Sequence, residues 1–313
     1  MASNTAVSAK KRERALLWRN IYKFRALYIM MLPGIAFFII FRYAPMWGLL
    51  MAFQNFNPFV GIMNSPWVGF DHFVRFMNTE GPRIFRNTFI LAFYNLVFFF
   101  PVPIILALMI NEIKNGIYKR VVQSIIYIPH FISWVVVISL FFIFFNGQDG
   151  IFNIWMASMG RDGINPMLSE GAFRPVVIIQ LIWKNAGWGT IIFLAALAGV
   201  DVELYEAAYI DGATRARRIW HITLPSIRST IVVMMLLRVG SFLDTGFDQI
   251  FLMLNAMNRT VGDVFDTYIY QVGLLQGLFS YSTAVGFFRS VVALILILVA
   301  DFVSKRLGES GVF

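Results

Sequence analysis

The sequence contains no cysteine, which excludes disulfides, thiolate metal sites and thiol nucleophiles. Charge is scarce as well. Asp, Glu, Lys and Arg make up 14% of the 313 residues, whereas a soluble domain carries about 25%. His72, His130 and His221 are the only histidines and lie far apart, and there is no His-Glu-x-x-His pair, which argues against a zinc enzyme. A Gly-x4-Gly-Lys-Ser/Thr loop for cradling phosphates is also missing, so this chain is not expected to hydrolyse ATP alone. Neither an internal repeat nor a low-complexity tract is evident.

What is present is hydrophobic. Apolar residues make up 58% of the chain, and the mean hydropathy is +0.70. The reading is an all-α, polytopic membrane protein with six transmembrane helices and a cytoplasmic loop. The net charge of +9 comes from basic residues at the ends of apolar runs. That placement points to membrane orientation rather than to nucleic acid.

The N-terminal tail, residues 1–25, holds seven Lys or Arg. Its Leu16-Leu17-Trp18 reads either as a short amphipathic helix on the inner membrane surface or as part of a solvated tail. The apolar run behind it is too long for a signal peptide, and no small-residue cleavage site follows, so it is read as a retained first span. That span covers about Leu27 to Tyr43, and reaches about Ala52 if Pro45 is accommodated; Pro33-Gly34 is a candidate kink. The further spans are about Ile84–Ile110, Val121–Phe145, Pro175–Ala198, Pro225–Leu254 and Thr283–Val303. A short helix is expected around Val264–Leu275. The domain reading is tail 1–25, membrane domain 26–306 with a loop at 199–225, and tail 307–313. The tail, the 111–120 turn, the 199–228 loop and the C-terminus together hold sixteen Lys or Arg, against six for Arg42 and the other, longer connections. By the positive-inside rule both termini and the 199–225 loop are cytoplasmic.

The longest run that is both polar and patterned joins the fourth and fifth spans, from Glu206 to Pro225. Glu203 and Glu206 suit the positive end of a helix dipole. Ala207 and Ala208 favour helix and leave room for another surface. Gly212 permits a sharp turn, and Leu224-Pro225 suits the first turn of the next helix. The order Glu206-Ala207-Ala208, three residues, Gly212, nine residues, Ile222-x-Leu224-Pro225 resembles the EAA signature of permease subunits in binding-protein-dependent ABC importers. Leu32-Pro33-Gly34, Asn55-Phe56-Asn57-Pro58, Ile128-Pro129, Asp266-Thr267-Tyr268 and Lys305-Arg306-Leu307-Gly308-Glu309 are similar to the LplB group of sugar-importer permeases.

The resemblance implies a heterodimer with a second permease in the cytoplasmic (inner) membrane. It also implies two ATPase subunits that carry the ATP and Mg²⁺, an extracytoplasmic solute-binding protein and an oligosaccharide substrate. No cofactor is expected on this chain. Glu206, Ala207, Ala208, Asp211, Gly212, Leu224 and Pro225 would form the coupling element, and the cycle would be a two-state rigid-body switch.

Candidate residues for the substrate path are ionisable or aromatic groups inside spans, where charge is costly. Trp183, Lys184, Asn185 and Trp188 combine indole rings with polar groups in the fourth span. Lys184 reads either as a hydroxyl ligand or as a structural lysine paired with a carboxylate. Asp244 and Asp248, four apart, would share a helix face. They either line the path, together with Arg289, or neutralise Lys184, Arg238 or Arg289. The buried basic groups permit an acidic, alginate-like oligosaccharide. The alternatives are an ion-coupled carrier using Lys184, Asp244 and Asp248, or an importer permease for a non-sugar solute.

Overall fold

The computed structural model describes residues 19–306 except Ile21 and Gln148, and all of their side chains but that of Val303. The amphipathic stretch read at Leu16–Trp18 and the tail 307–313 lie outside the described residues. Apart from one isolated antiparallel bridge, Gln54 to Trp67, the regular structure among the described residues is helical. The chain divides into two compact units, Met1–Val68 and Gly69–Phe313.

In the first unit, α1 (Arg25–Phe38) continues through Pro33 and runs on through a widened turn, Ile39–Tyr43, into a tighter 3₁₀ stretch, Ala44–Phe53. Pro45 is thus accommodated, and the first apolar run is helical from Arg25 to Phe53.

In the second unit, α2 (Gly81–Tyr94) passes through a widened turn, Asn95–Phe99, into α3 (Pro101–Asn111). Next come α4 (Gly116–Tyr127), α5 (Trp134–Phe145) and the long α6 (Glu170–Ala198). The loop after α6 holds α7 (Val202–Ile210) and α8 (Arg215–Arg218). Finally α9 (Arg228–Gly240), α10 (Phe247–Met253), α11 (Phe265–Tyr270) and α12 (Phe279–Arg306) follow. Among the described residues, four helical stretches are long and apolar enough to cross a membrane, and two bent pairs raise the number to six.

The bent pairs are where the sequence-based spans need correction. The third span breaks after Pro129, and its halves, Gly116–Phe131 and Trp134–Phe145, stand at 99°. Ile132 and Ser133 are extended, and Ser133 caps α5 by accepting from the amide of Val136. The fifth span was expected over 225–254, but helix begins at Arg215, bends by 61° at Ile227 and ends at Gly240. Gly246, at φ 84°, then starts α10 in a direction only glycine readily allows. The apolar run continues to Leu254 because Ile250 and Met253 of α10 are buried, packed with Leu91, Ile138, Phe173 and Val177.

α6 is the central element. Its buried residues, among them Phe173, Val177, Gln180, Lys184, Gly187 and Phe193, recur at the three-and-four spacing of one helix face. Glycine allows its closest approach: a Cβ on Gly187 would lie 1.9 Å from the carbonyl oxygen of Ile126 in α4. Toward the end of α6, Phe193 and Leu197 pack with Ala107 of α3 and with Ile227, which is 1% exposed. The second bend therefore sits on a buried pivot.

A regularity links the widened turns to proline. The amide just before Pro45, Pro101 and Pro225 bonds five residues back, from Ala44 to Ile39, Phe100 to Asn95 and Leu224 to Ile219. A proline ring clashes with the carbonyl four residues before it in an ordinary α-helix. The wider turn moves that carbonyl aside and lets the helix continue.

Candidate functional site

The patterned loop between α6 and α9 folds as two capped turns. Asp201 caps α7 by accepting from the amide of Glu203 at 3.0 Å. At the other end Gly212, at φ 71°, closes the helix. Its amide bonds to the Tyr209 carbonyl at 3.1 Å, and the Ala213 amide bonds to the Ala208 carbonyl at 2.9 Å. That pair is the Schellman closure, which places glycine where other residues are strained. Thr214 then caps α8, accepting from Arg217.

No residue of α7 is buried. Glu206 and Ala207 are exposed and Ala208 is half-buried, while the apolar Ile210 is 84% exposed. Tyr205 ties α7 to the return segment through a 3.0 Å hydroxyl contact with Thr223, and the Arg218 guanidinium stands 6.0 Å from the Tyr209 ring centre. Asp211 follows the helix as an exposed residue, and Leu224 and Pro225 lie on the return. Leu224-Pro225 does not open the fifth span, because helix is already running from Arg215 and a widened turn has absorbed the proline. All seven expected coupling residues thus belong to one capped, outward-facing loop joined to both α6 and α9.

The four expected path residues of α6 point to different surroundings. Lys184 is 7% exposed. Its Nζ donates to the carbonyls of Pro129 (3.4 Å), His130 (2.6 Å) and Ile132, and stands 5.5 Å from the Trp134 ring centre. Its partners are therefore backbone carbonyls at the break between α4 and α5, of which that of Pro129 also accepts from the Ile132 amide at 3.2 Å, and not the carboxylate that the structural reading expected. Asn185 Oδ1 meets His130 Nδ1 at 3.0 Å, and Trp188 stacks on the His130 ring at 4.5 Å and 6°. Trp183 instead faces an apolar cavity of about 300 Å³ with Phe141, Phe144 and Ile179. His130 has no sequence signal that would single it out, since its partners lie 55 and 58 residues away.

Asp244 and Asp248 do not share a helix face. Asp244 lies in the turn after α9 and Asp248 in the first turn of α10, both exposed. Arg289 of α12 pairs with Asp266 of α11 at 2.5 Å and donates to the Leu243 carbonyl at 3.2 Å. Asp266 also lines a cavity of about 390 Å³ with Phe247, Tyr270 and Ser282. Burial pushes its carboxyl pKa up, against the opposing pull of Arg289.

A second buried network ties the 259–267 segment to α2 and α6. Asn87 donates to the carbonyls of Thr260 (2.9 Å) and Asp263 (3.1 Å), and Arg174 donates to Asn87 Oδ1 at 2.9 Å. The Asp263 carboxylate accepts from Thr267 at 2.6 Å and faces Arg83 at 3.6 Å. Burial raises its pKa, with the Thr267 hydrogen bond and the Arg83 charge opposing. The Tyr268 hydroxyl is raised too, first by burial and then by its 3.0 Å contact with Tyr281.

A family described as the binding-protein-dependent transport system inner membrane component matches residues 99–309, which include the whole loop. Protein LplB of Bacillus subtilis (strain 168) is 52% identical over 288 residues, 92% of this chain and 91% of that protein. The polygalacturonan/rhamnogalacturonan transport system permease protein YteP of the same organism is 50% identical over 311 residues, 98% and 96% of the two chains. Among solved structures, a chain of a bacterial ABC transporter that imports the acidic polysaccharide alginate matches with TM-score 0.86 and 42% identity, covering 93% and 98%. A chain of a bacterial alginate ABC transporter in complex with an alginate pentasaccharide-bound periplasmic protein matches with TM-score 0.87 and 41% identity, covering 95% and 99%. These likenesses overturn the ion-coupled carrier alternative.

Proposed function

Given that the chain belongs to the family of binding-protein-dependent transport system inner membrane components, we propose that α7 is the element through which an ATP-hydrolysing partner drives it. The chain is a multi-pass permease subunit of an ABC importer for sugars or oligosaccharides. The observation that carries the coupling reading is α7 itself: a capped helix with no buried residue, continuous with α6 on one side and with the bent fifth span on the other. An exposed helix with uncovered Leu204, Tyr209 and Ile210 suits a cleft on another protein. Glu206, Ala207, Ala208, Asp211 and Gly212 would contact that partner, and Leu224-Pro225 would pass the motion to α9.

The assembly implied is this chain, a second permease, two ATPase subunits that hold ATP and Mg²⁺, and an extracytoplasmic solute-binding protein. The excess of Lys and Arg around the loop and the termini supports a cytoplasmic orientation for them. For substrate class, the alginate and polygalacturonan named for the relatives favour an acidic oligosaccharide.

ATPase activity of the reconstituted complex, with loaded binding protein, tests the coupling role. Proline at position 212 can neither adopt the positive φ nor supply the amide for Tyr209, and a misplaced proline costs about 3 kcal/mol. Gly212→Pro is expected to lower stimulated activity by about tenfold or more, with Glu206→Ala giving a smaller loss. Both variants should still insert and assemble. Normal stimulation in both would end the coupling reading.

A further inference from the structure

Arg238 sits in the last turn of α9, inside the fifth span. No carboxylate makes an ion pair with it among the described residues. Its Nε and Nη2 both donate to Oδ1 of Asn95, at 3.1 and 2.6 Å. The Phe99 ring centre lies 5.3 Å from the guanidinium carbon. An arginine has five N–H donors in a rigid fork, so most of this fork remains for something else. It borders a cavity of about 230 Å³ with Phe99, Phe100, Gly189, Phe193 and Ser241. Asp244 is in electrostatic reach of the guanidinium without pairing with it.

Asn95 is held by the same local distortion that accommodates Pro101. Its carbonyl accepts the five-back bond from Phe100 at 3.1 Å, while its side chain grips Arg238. Widened turns of this kind collect at functional sites. A cation that lacks a counter-ion inside a span is costly and marks a path or a ligand site.

We propose that Arg238, positioned by Asn95 and flanked by Phe99 and Phe100, is a carboxylate-recognising subsite for an acidic oligosaccharide during translocation. The inference rests on the acidic-substrate reading above. A free guanidinium fork matches a uronate carboxylate in a bidentate pair, and the phenylalanine rings offer an apolar surface to the C–H face of the sugar ring.

The test uses the complete complex in proteoliposomes, with ATP and binding protein. It compares import of an oligogalacturonate with import of the same oligomer methyl-esterified. Each variant is normalised to wild type on the same oligosaccharide, so the binding protein's own preference cancels. Arg238→Gln is expected to lower oligogalacturonate import by about tenfold or more, the scale of a charge-assisted hydrogen bond. Import of the ester should change by less than about twofold.

Asn95→Asp separates this role from a purely structural one. It gives Arg238 an internal carboxylate, so thermal stability should hold or rise while oligogalacturonate import falls. If both variants import oligogalacturonate normally, or if import of the ester falls equally, the Arg238 subsite is overturned. If wild type carries only the ester, the acidic-substrate reading fails first and takes the subsite with it.

Discussion

Replacing Gly187 by alanine is expected to destabilise the protein by about 3 kcal/mol, the upper part of the usual range for overpacking. The added methyl would sit 1.9 Å from the Ile126 carbonyl oxygen and 2.5 Å from its carbon. These are backbone atoms, so no side-chain rotation relieves the clash, and α4 and α6 must move apart. Such a shift also disturbs the neighbouring Lys184 contacts with the end of the α4 segment. In detergent, Tm should fall by roughly 6–12 °C. Gly171→Ala in the same helix is the control. There the nearest atom to a new Cβ is Ser169 Oγ at 3.9 Å, and alanine should be neutral or mildly stabilising. Equal behaviour of the two variants would refute the close packing of α4 on α6.

The second large effect is expected from Lys184→Met. Methionine fills similar space but leaves the Pro129, His130 and Ile132 carbonyls without the ammonium. The Pro129 carbonyl keeps the Ile132 amide at 3.2 Å, while those of His130 and Ile132 lose a donor at about 1–3 kcal/mol each, so a total on the order of 3 kcal/mol is expected. The bend between α4 and α5 should loosen, and stability and transport should fall together. Thermal denaturation alongside import measures both. Lost import at unchanged Tm would instead assign Lys184 to the substrate path.

The loop was the most legible part of the sequence because its geometry is written in local residue types. Asp201 and Thr214 are caps, and Gly212 stands where a helix must reverse; no distant contact is needed to place them. The spans at 81–111, 170–198 and 279–306 were legible for a similar reason, since unbroken apolar length is enough. The fifth span was not. Its hydrophobicity runs past the end of the helix at Gly240, because α10 buries Ile250 and Met253 in the core and so needs apolar residues too. That overrun made Asp244 and Asp248 look like neighbours on one face. The Lys184 partners were invisible for a different reason: backbone carbonyls carry no residue signature, and their exposure depends on a break 52–55 residues earlier. Arg238 stood out as an intramembrane charge, but its holder, Asn95, lies 143 residues away.

The widened turns before Pro45, Pro101 and Pro225 have a consequence for comparing such helices. Each inserts one residue beyond what an α-turn needs, and one residue is about 100° of rotation at 3.6 residues per turn. The helical phase is therefore reset two residues ahead of each proline. A wheel drawn straight from Arg86 to Leu108 assigns the wrong azimuth to everything beyond Phe99. Substituting the proline alone leaves the extra residue in place. Deleting one residue from 95–99 as well would restore the α period, and with it turn the whole of α3 by about 100°.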